Sequence, residues 1–146
     1  MQPTKTHTAP NFRVLPLVTD ENEHFWRGGA DGQLHLLACD DCGEYIHPPA
    51  PVCGACLARE SHVVAVSGKA TLLTYTENHQ PWIPGFEPPY IVAIVELAEQ
   101  TGLRLTTNLV NVAIEDVRIG MPLRVLFEPR DDEIFLPLFE PDPEAS

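Results

Sequence analysis

The sequence predicts a mainly β protein in three parts: a short helical segment, a metal-stapled ribbon and a small closed barrel. Three observations predict it. All four cysteines fall within Cys39–Leu57, as two Cys-x-x-Cys pairs with ten residues between them. From His62 onward, runs of β-forming residues are broken by turn residues. Fifteen prolines in 146 residues, gathered in loops and at both ends, leave little room for long helices.

The cysteine stretch organises the rest. Each pair, Cys39/Cys42 and Cys53/Cys56, sits on a tight turn that aims two sulfurs at one point. Two such turns place four thiolates at the corners of a tetrahedron, the arrangement of a zinc ribbon. Gly43 follows one pair and Gly54 lies inside the other, and both are expected at positive φ with a backbone N–H turned toward sulfur. A complete set of four protein ligands leaves no open coordination position, so one structural zinc is expected, holding the fold without catalysing. A redox pair, two disulfides or iron in the same site are the alternatives. Two matched pairs with no cysteine left over favour metal. His47, between the pairs, reads as a surface or hinge histidine rather than a fifth ligand.

The length allows one ordinary domain, or a small domain with a metal-stapled minidomain. The N-terminus has no uninterrupted apolar run like a signal peptide, and no stretch approaches membrane-spanning length. We therefore expect a cytoplasmic protein in a reducing compartment, with no membrane association, where thiolate–metal bonds are favoured over disulfides. The formal net charge is −12, from 21 acidic against 9 basic residues. Such a surface repels a phosphate polymer at long range, which counts against nucleic acid as a partner.

Taken in order, residues 1–18 read as an arm: either a loose tail or a strap on a partner, the latter suggested by Phe12, Val14, Leu15, Leu17 and Val18. In the next segment Thr19 or Asp20 is the expected N-cap, with Asp20, Glu21 and Glu23 in the first turn and Gly28–Gly29 as the stop. A helix of about two turns cannot stand alone, so Phe25 and Trp26 must dock it on something. Gln33–Cys39 is the first ribbon strand; a second follows the first knuckle and ends at Pro48–Pro49.

Beyond the ribbon, HVVAVSG and KATLLTYTEN form one long β run with a bend or bulge at Ser67–Gly68. Tyr90–Leu97 is nearly all apolar, like a strand buried on both faces. In the following strand Leu103, Leu105, Thr107 and Leu109 point one way and Arg104, Thr106 and Asn108 the other. Ile114–Ile119 makes one helical turn; then come a strand with Leu123, Val125 and Phe127 inward and a last strand, EIFLPLF. Five strands with a helical turn between the third and fourth is the order of an OB-fold barrel, a small sandwich being the competitor. The expected divisions are 1–32 for the arm and docking helix, 33–60 for the ribbon, 61–139 for the barrel and 140–146 for a loose acidic tail.

The loop His79–Pro89 combines four prolines with Trp82, Ile83 and Phe86. It is either a lid plugging the barrel end or an interface or ligand surface, since aromatics on a proline-stiffened loop lose little entropy on binding. There is no Gly-rich phosphate loop, no Gly-x-Ser-x-Gly and no paired-histidine metal motif. The six histidines are scattered and read mostly as surface groups.

The order of these features carries a resemblance. Phe25-Trp26, Gly-x-Leu, Cys-x-x-Cys-Gly, Pro-Pro, a second Cys-x-x-Cys, VSG, TYT, PPY before IVAIVEL, TTNLV, IGMPLRVLF and LPLF follow one another over roughly residues 19–139. This pattern resembles the acyl-CoA-associated zinc-ribbon/OB-fold family. The resemblance implies a helical segment, a rubredoxin-like zinc ribbon and an OB-fold. It further implies an accessory subunit of a thiolase-superfamily enzyme: a thiolase, an acyltransferase or an aldolase of steroid side-chain breakdown. Other members join hydratases of the hot-dog type. The partner would carry the catalytic groups, in a heterotetramer or larger assembly, with this chain helping to form the acyl-CoA channel and a coenzyme A thioester bound at the shared interface. Metal binding then falls on Cys39, Cys42, Cys53 and Cys56, and docking on Phe25 and Trp26; His79, Trp82, Phe86 and Tyr90 are the candidates for partner or channel contact. One departure from the family pattern is an aromatic replaced around Ser61–His62. A nucleic-acid-binding OB-fold is the competing class, but Tyr90–Leu97 has no basic residue and the next strand only Arg104.

Overall fold

The computed structural model describes residues 14–82 and 87–144. Helix α1 spans Glu23–Gly28, and a 3-10 turn over Gly29–Asp31 continues it. The helix begins later than the sequence suggests because Asn22 organises the approach. Its Oδ1 accepts the Thr19 N–H at 2.7 Å and its Nδ2 donates to the Leu17 carbonyl at 3.1 Å. The α-helix ends at Gly28 with Gly29 as its C-cap, where the stop is expected, although the left-handed turn comes only at Gly32, φ 80; Gly28 and Gly29 have a second role. They are needed for close approach. A Cβ on Gly28 would overlap the His35 ring, and one on Gly29 would overlap the Phe127 ring and sit 2.7 Å from Phe135 Cβ.

Strands β1 (Leu34–Cys39), β2 (Tyr45–Ile46) and β3 (Ser61–Val66) form an antiparallel sheet in the order β2-β1-β3. β3 pairs with β1 along its whole length, from Leu34↔Val66 to Cys39↔Ser61, so residues 61–66 extend the ribbon sheet. The chain breaks at Ser67–Gly68, where Gly68 has φ 76 and lies against Val125. The barrel then starts at β4 (Lys69–Asn78) and continues with β5 (Tyr90–Leu97), β6 (Arg104–Leu109), β7 (Pro122–Pro129) and β8 (Phe135–Pro141). These close in the order β4-β5-β6-β8-β7, with β7 pairing back onto β4. A 3-10 turn at Ile114–Asp116, shorter than the expected Ile114–Ile119, lies between the third and fourth barrel strands. The architecture is mainly β: a four-cysteine ribbon and a closed five-stranded OB-like barrel.

β5 is not buried on both faces. Ile91, Ala93, Val95 and Leu97 enter the core while Tyr90, Val92, Ile94 and Glu96 remain half-buried on the outside. β6 alternates as expected, with Leu105, Thr107 and Leu109 buried, whereas in β7 only Leu123 is fully buried. β8 buries Leu136, Pro137, Leu138 and Phe139 in succession. The acidic end is not loose up to Glu144. Glu140 accepts from Arg124 Nε at 2.8 Å, and Asp142, itself buried, accepts from Lys69 Nζ at 2.8 Å. One apolar cluster joins Phe25 and the ribbon residues Leu34, Leu36 and Val66 to the barrel interior around Phe139. Ribbon and barrel therefore share a core. Val14 and Leu17, 75% and 81% exposed, leave the described part of the arm outside it; Phe12 lies outside the described residues.

Candidate functional site

Two features stand out, the cysteine cluster and a cleft beside α1. The four Sγ atoms all lie within 4.8 Å of one another. Cys39–Cys56 and Cys42–Cys53 are 3.5 and 3.7 Å apart, far beyond an S–S bond of about 2.05 Å. A tetrahedron with Zn–S bonds of about 2.3 Å has edges of about 3.8 Å, so the set fits one zinc ion.

The two knuckles repeat each other. The N–H of Gly43 donates to the Cys39 carbonyl at 3.0 Å, and that of Leu57 to the Cys53 carbonyl at 2.9 Å. Cys39 N donates to the Glu44 carbonyl at 2.8 Å, and Cys53 N to the Ala58 carbonyl at 2.9 Å. The positive φ follows the second cysteine in both, at Gly43 (77°) and Leu57 (67°), so Gly54 does not supply it. Backbone N–H groups of Cys56 and Ala55 hold the Cys53 thiol down to about 7. The Ala58 N–H acts the same way on Cys56, yet the neighbouring thiols Cys39 and Cys42 outweigh it and push Cys56 up to about 12. Four sulfurs this close cannot all be anionic without a cation, and a bound dication would supply that charge.

His47 is neither a surface group nor a ligand. Its ring packs on Phe25 at 4.7 Å between centroids, where α1 meets the ribbon. His24 and His35 gather at the same junction. The ring atoms His24 Nε2, His35 Nδ1 and His47 Nδ1 are shielded from solvent with no hydrogen-bond partner among the described residues. Burial, reinforced by His24, lowers His47 to about 4; burial and then His35 also lower His24, against Glu23. No spacing in the sequence signals this cluster, which comes from three separate elements. A second unforeseen contact is Gln100, whose Oε1 accepts the Tyr45 N–H at 2.9 Å and whose Nε2 donates to the Tyr45 carbonyl at 3.4 Å. One side-chain amide thereby pairs like a strand residue with the edge of β2.

The cleft, about 380 Å³, is lined by Phe25 and Trp26 of α1, Tyr90 and Val92 of β5, Thr106–Asn108 of β6 and Leu136–Leu138 of β8. It opens because parallel β6 and β8 are in register only at Leu109↔Phe139. Pro137 has no N–H to extend the ladder, and the Thr107 hydroxyl donates to its carbonyl at 2.9 Å instead. Phe25 and Trp26 stack edge to face, centroids 4.8 Å apart, along one rim.

Of the residues singled out by sequence, Phe25, Trp26 and Tyr90 therefore share one cleft. His79 and Trp82 stand apart from it, in the β4–β5 connection. The His79 ring is 3.1 Å from Glu77, and Trp82 is 71% exposed with its indole N–H on Asn78 Oδ1 at 2.7 Å. Trp82 does not plug the barrel. Phe86 lies outside the described residues. Among the described residues no helix is long and apolar enough to cross a membrane.

Comparison with known proteins places these features. Residues 26–62 match the family described as "ChsH2, rubredoxin-like zinc ribbon domain", and residues 63–128 match "ChsH2, C-terminal OB-fold domain". A "Probable enoyl-CoA hydratase alpha subunit" of Thermomonospora curvata is 36% identical over 89% of this chain and 40% of its own length. A "DUF35 domain-containing scaffold protein" of Methanocaldococcus jannaschii is 35% identical over 62% of this chain and 64% of its own. The chain thus spans less than two thirds of the length of these relatives. Among solved structures, one described as "Ltp2-ChsH2(DUF35) aldolase" superposes with a TM-score of 0.77 at 35% identity, covering 87% of this chain and 98% of that one. With a ribbon that fits one structural zinc and a closed OB-like barrel, the chain belongs to the ChsH2 (DUF35) family of zinc-ribbon/OB-fold proteins.

Proposed function

We propose that this chain is a non-catalytic accessory subunit of an acyl-CoA enzyme, assembling with a thiolase-superfamily partner and forming part of its acyl-CoA channel. The observation that carries the reading is the match along nearly the whole of the ChsH2 chain described as part of an aldolase. The chain supplies a rigid presenting surface. Zinc on Cys39, Cys42, Cys53 and Cys56 would fix the knuckles, and Phe25 pins α1 to the core that ribbon and barrel share. The partner would supply the acid–base and nucleophilic groups, in a heterotetramer or larger complex in the cytoplasm, with the coenzyme A thioester at the shared interface. The relative described as a hydratase alpha subunit favours a second reading, in which the partner is a hot-dog-type hydratase.

Co-expression with thiolase-like and hydratase-like proteins tests both. The expected result is co-purification with the thiolase-like chain, whose thioester turnover requires this subunit. A chain that stays monomeric beside every such protein, or that turns over a thioester unaided, overturns the proposal.

A further inference from the structure

We propose that the cleft between α1 and the β6–β8 seam receives the uncharged, apolar acyl group of the ligand, and that this chain leaves the ligand's phosphates to its partner. The inference rests on the accessory role above and names which part of the thioester this chain touches.

None of the described residues lining the cleft is charged. Phe25, Trp26, Val92, Leu136 and Leu138 present apolar surface, and two of the polar lining residues, Thr107 and Asn108, spend donors on the barrel's own carbonyls. The Thr107 hydroxyl donates to Pro137, and the Asn108 amide donates to the Ile91 carbonyl at 2.8 Å. A ligand group that needs several hydrogen bonds would find few groups to replace them, the Thr106 and Tyr90 hydroxyls at most, whereas a hydrocarbon body loses none. The volume of 380 Å³ lies at the lower end of the range of about 300–1,000 Å³ for small-molecule sites. It suits an acyl body rather than a whole coenzyme A thioester.

The cations point the same way. Arg27 pairs with Glu23 and Glu133, Lys69 with Asp142 and Glu144, Arg124 with Glu140, and Arg130 with Glu128. Arg118 donates to the carbonyls of Glu115 and Val117. Arg59 borders a hollow with Asp20, Glu21 and Glu23, and Arg104 stands opposite Glu96 across the strand pair. With a net charge of −12, the described surface offers no cluster of cations for a pyrophosphate.

The chain has two tryptophans, so Trp82→Phe leaves Trp26 as the sole reporter, inside the cleft. The zinc-loaded full-length variant is titrated with decanoyl-CoA, decanoyl-pantetheine and CoA. Both decanoyl compounds should shift Trp26 emission with affinities within about threefold of each other, and CoA should leave it unchanged. Adding Thr106→Phe, at an exposed position on the cleft wall, should weaken both decanoyl compounds by about tenfold or more. CoA binding as tightly as decanoyl-CoA, no response to either decanoyl compound, or binding indifferent to Thr106→Phe each overturns the inference. Loss of partner capture by Thr106→Phe without loss of decanoyl binding overturns it too, making the cleft a protein-docking groove. Association and activation by the unaltered chain test the accessory role separately. If those hold while Thr106→Phe leaves the complex's acyl-length preference unchanged, only the acyl-group inference falls.

Discussion

Acidification should loosen the junction between α1 and the ribbon, and His47 allows the size of the effect to be worked out. In the folded chain its imidazole titrates at about 4, because burial and then His24 disfavour the charged ring, against 6.5 when unperturbed. Well above 6.5 the ring is neutral in both states and its neutral burial costs nothing extra. As pH falls through 6.5 the unfolded chain takes up a proton that the folded chain refuses until about 4, so stability drains away across that window. With 1.36 kcal/mol per pH unit of difference, the loss is about 2 kcal/mol between pH 8 and pH 5, approaching about 3 kcal/mol at the lower limit. Urea unfolding of the zinc-loaded chain at the two pH values, compared with His47→Gln, measures it. The variant loses the ring contact with Phe25 at both pH values, and the remaining groups, His24 and the thiolates included, titrate in both proteins. Its stability should therefore fall about 2 kcal/mol less between pH 8 and pH 5 than that of the parent chain. Equal losses in the two proteins would refute the reasoning, since His47 would then be charged or solvated in the folded state.

Stripping the zinc should remove a metal-linked stabilisation of about 10–16 kcal/mol from the ribbon. Hydrogen exchange should show the knuckle amides of Cys39, Gly43, Cys53 and Leu57 losing protection before those of the barrel strands. Gln100→Ala deletes both bonds to Tyr45 and should cost about 1–2 kcal/mol by chemical denaturation. Gly29→Ala drives a methyl group into the Phe127 ring and Phe135, and should lower stability by about 1–3 kcal/mol. Leu57→Gly should stabilise the zinc form by about 0.5–1 kcal/mol. Leucine at φ 67 costs about 1–2 kcal/mol, glycine's freedom in the unfolded chain returns part of that gain, and a side chain 73% exposed gives up little packing.

What could be read from the sequence was what local chemistry dictates. The metal ligands were legible because two Cys-x-x-Cys pairs determine a knuckle geometry within a few residues. The barrel strands were legible from runs of β-forming residues, with β6 also from its alternation, and Ser67–Gly68 from its turn chemistry. Three features missed by that local reading share a cause. Gly28 and Gly29 do end α1, but their small size also answers to His35 on the next strand and to Phe127 and Phe135, residues far away in the chain. Tyr90–Leu97 looks buried on both faces because Val92 and Ile94 are apolar, yet the outer side of β5 is only partly covered. The acidic end looks loose, yet Lys69 and Arg124 anchor it from other strands. Gly54 is a smaller case: glycine is permissive at that site, while the strained position is filled by leucine.

The cleft belongs to the same class of non-local feature, and its one local signature is Pro137. A proline in the last barrel strand removes the donor that would continue the β6–β8 ladder, so closing the barrel leaves a seam on that side. Helix α1 lies along the opening because its buried Phe25 is part of the core shared by Leu34 and Leu36 of the ribbon and Ile91 and Phe139 of the barrel. The ribbon's contribution is therefore mechanical. Metal on the four sulfurs would fix β1 and β2, while Gln100 ties the edge of β2 to the barrel and His47 packs on Phe25 from β2's end. Trp26, next in sequence, is thereby held at the rim of the cleft. Loosening the knuckles, the Gln100 contact or the histidine junction should each widen the same opening, so in the Trp82→Phe background three chemically unrelated perturbations should converge on one fluorescence signal from Trp26.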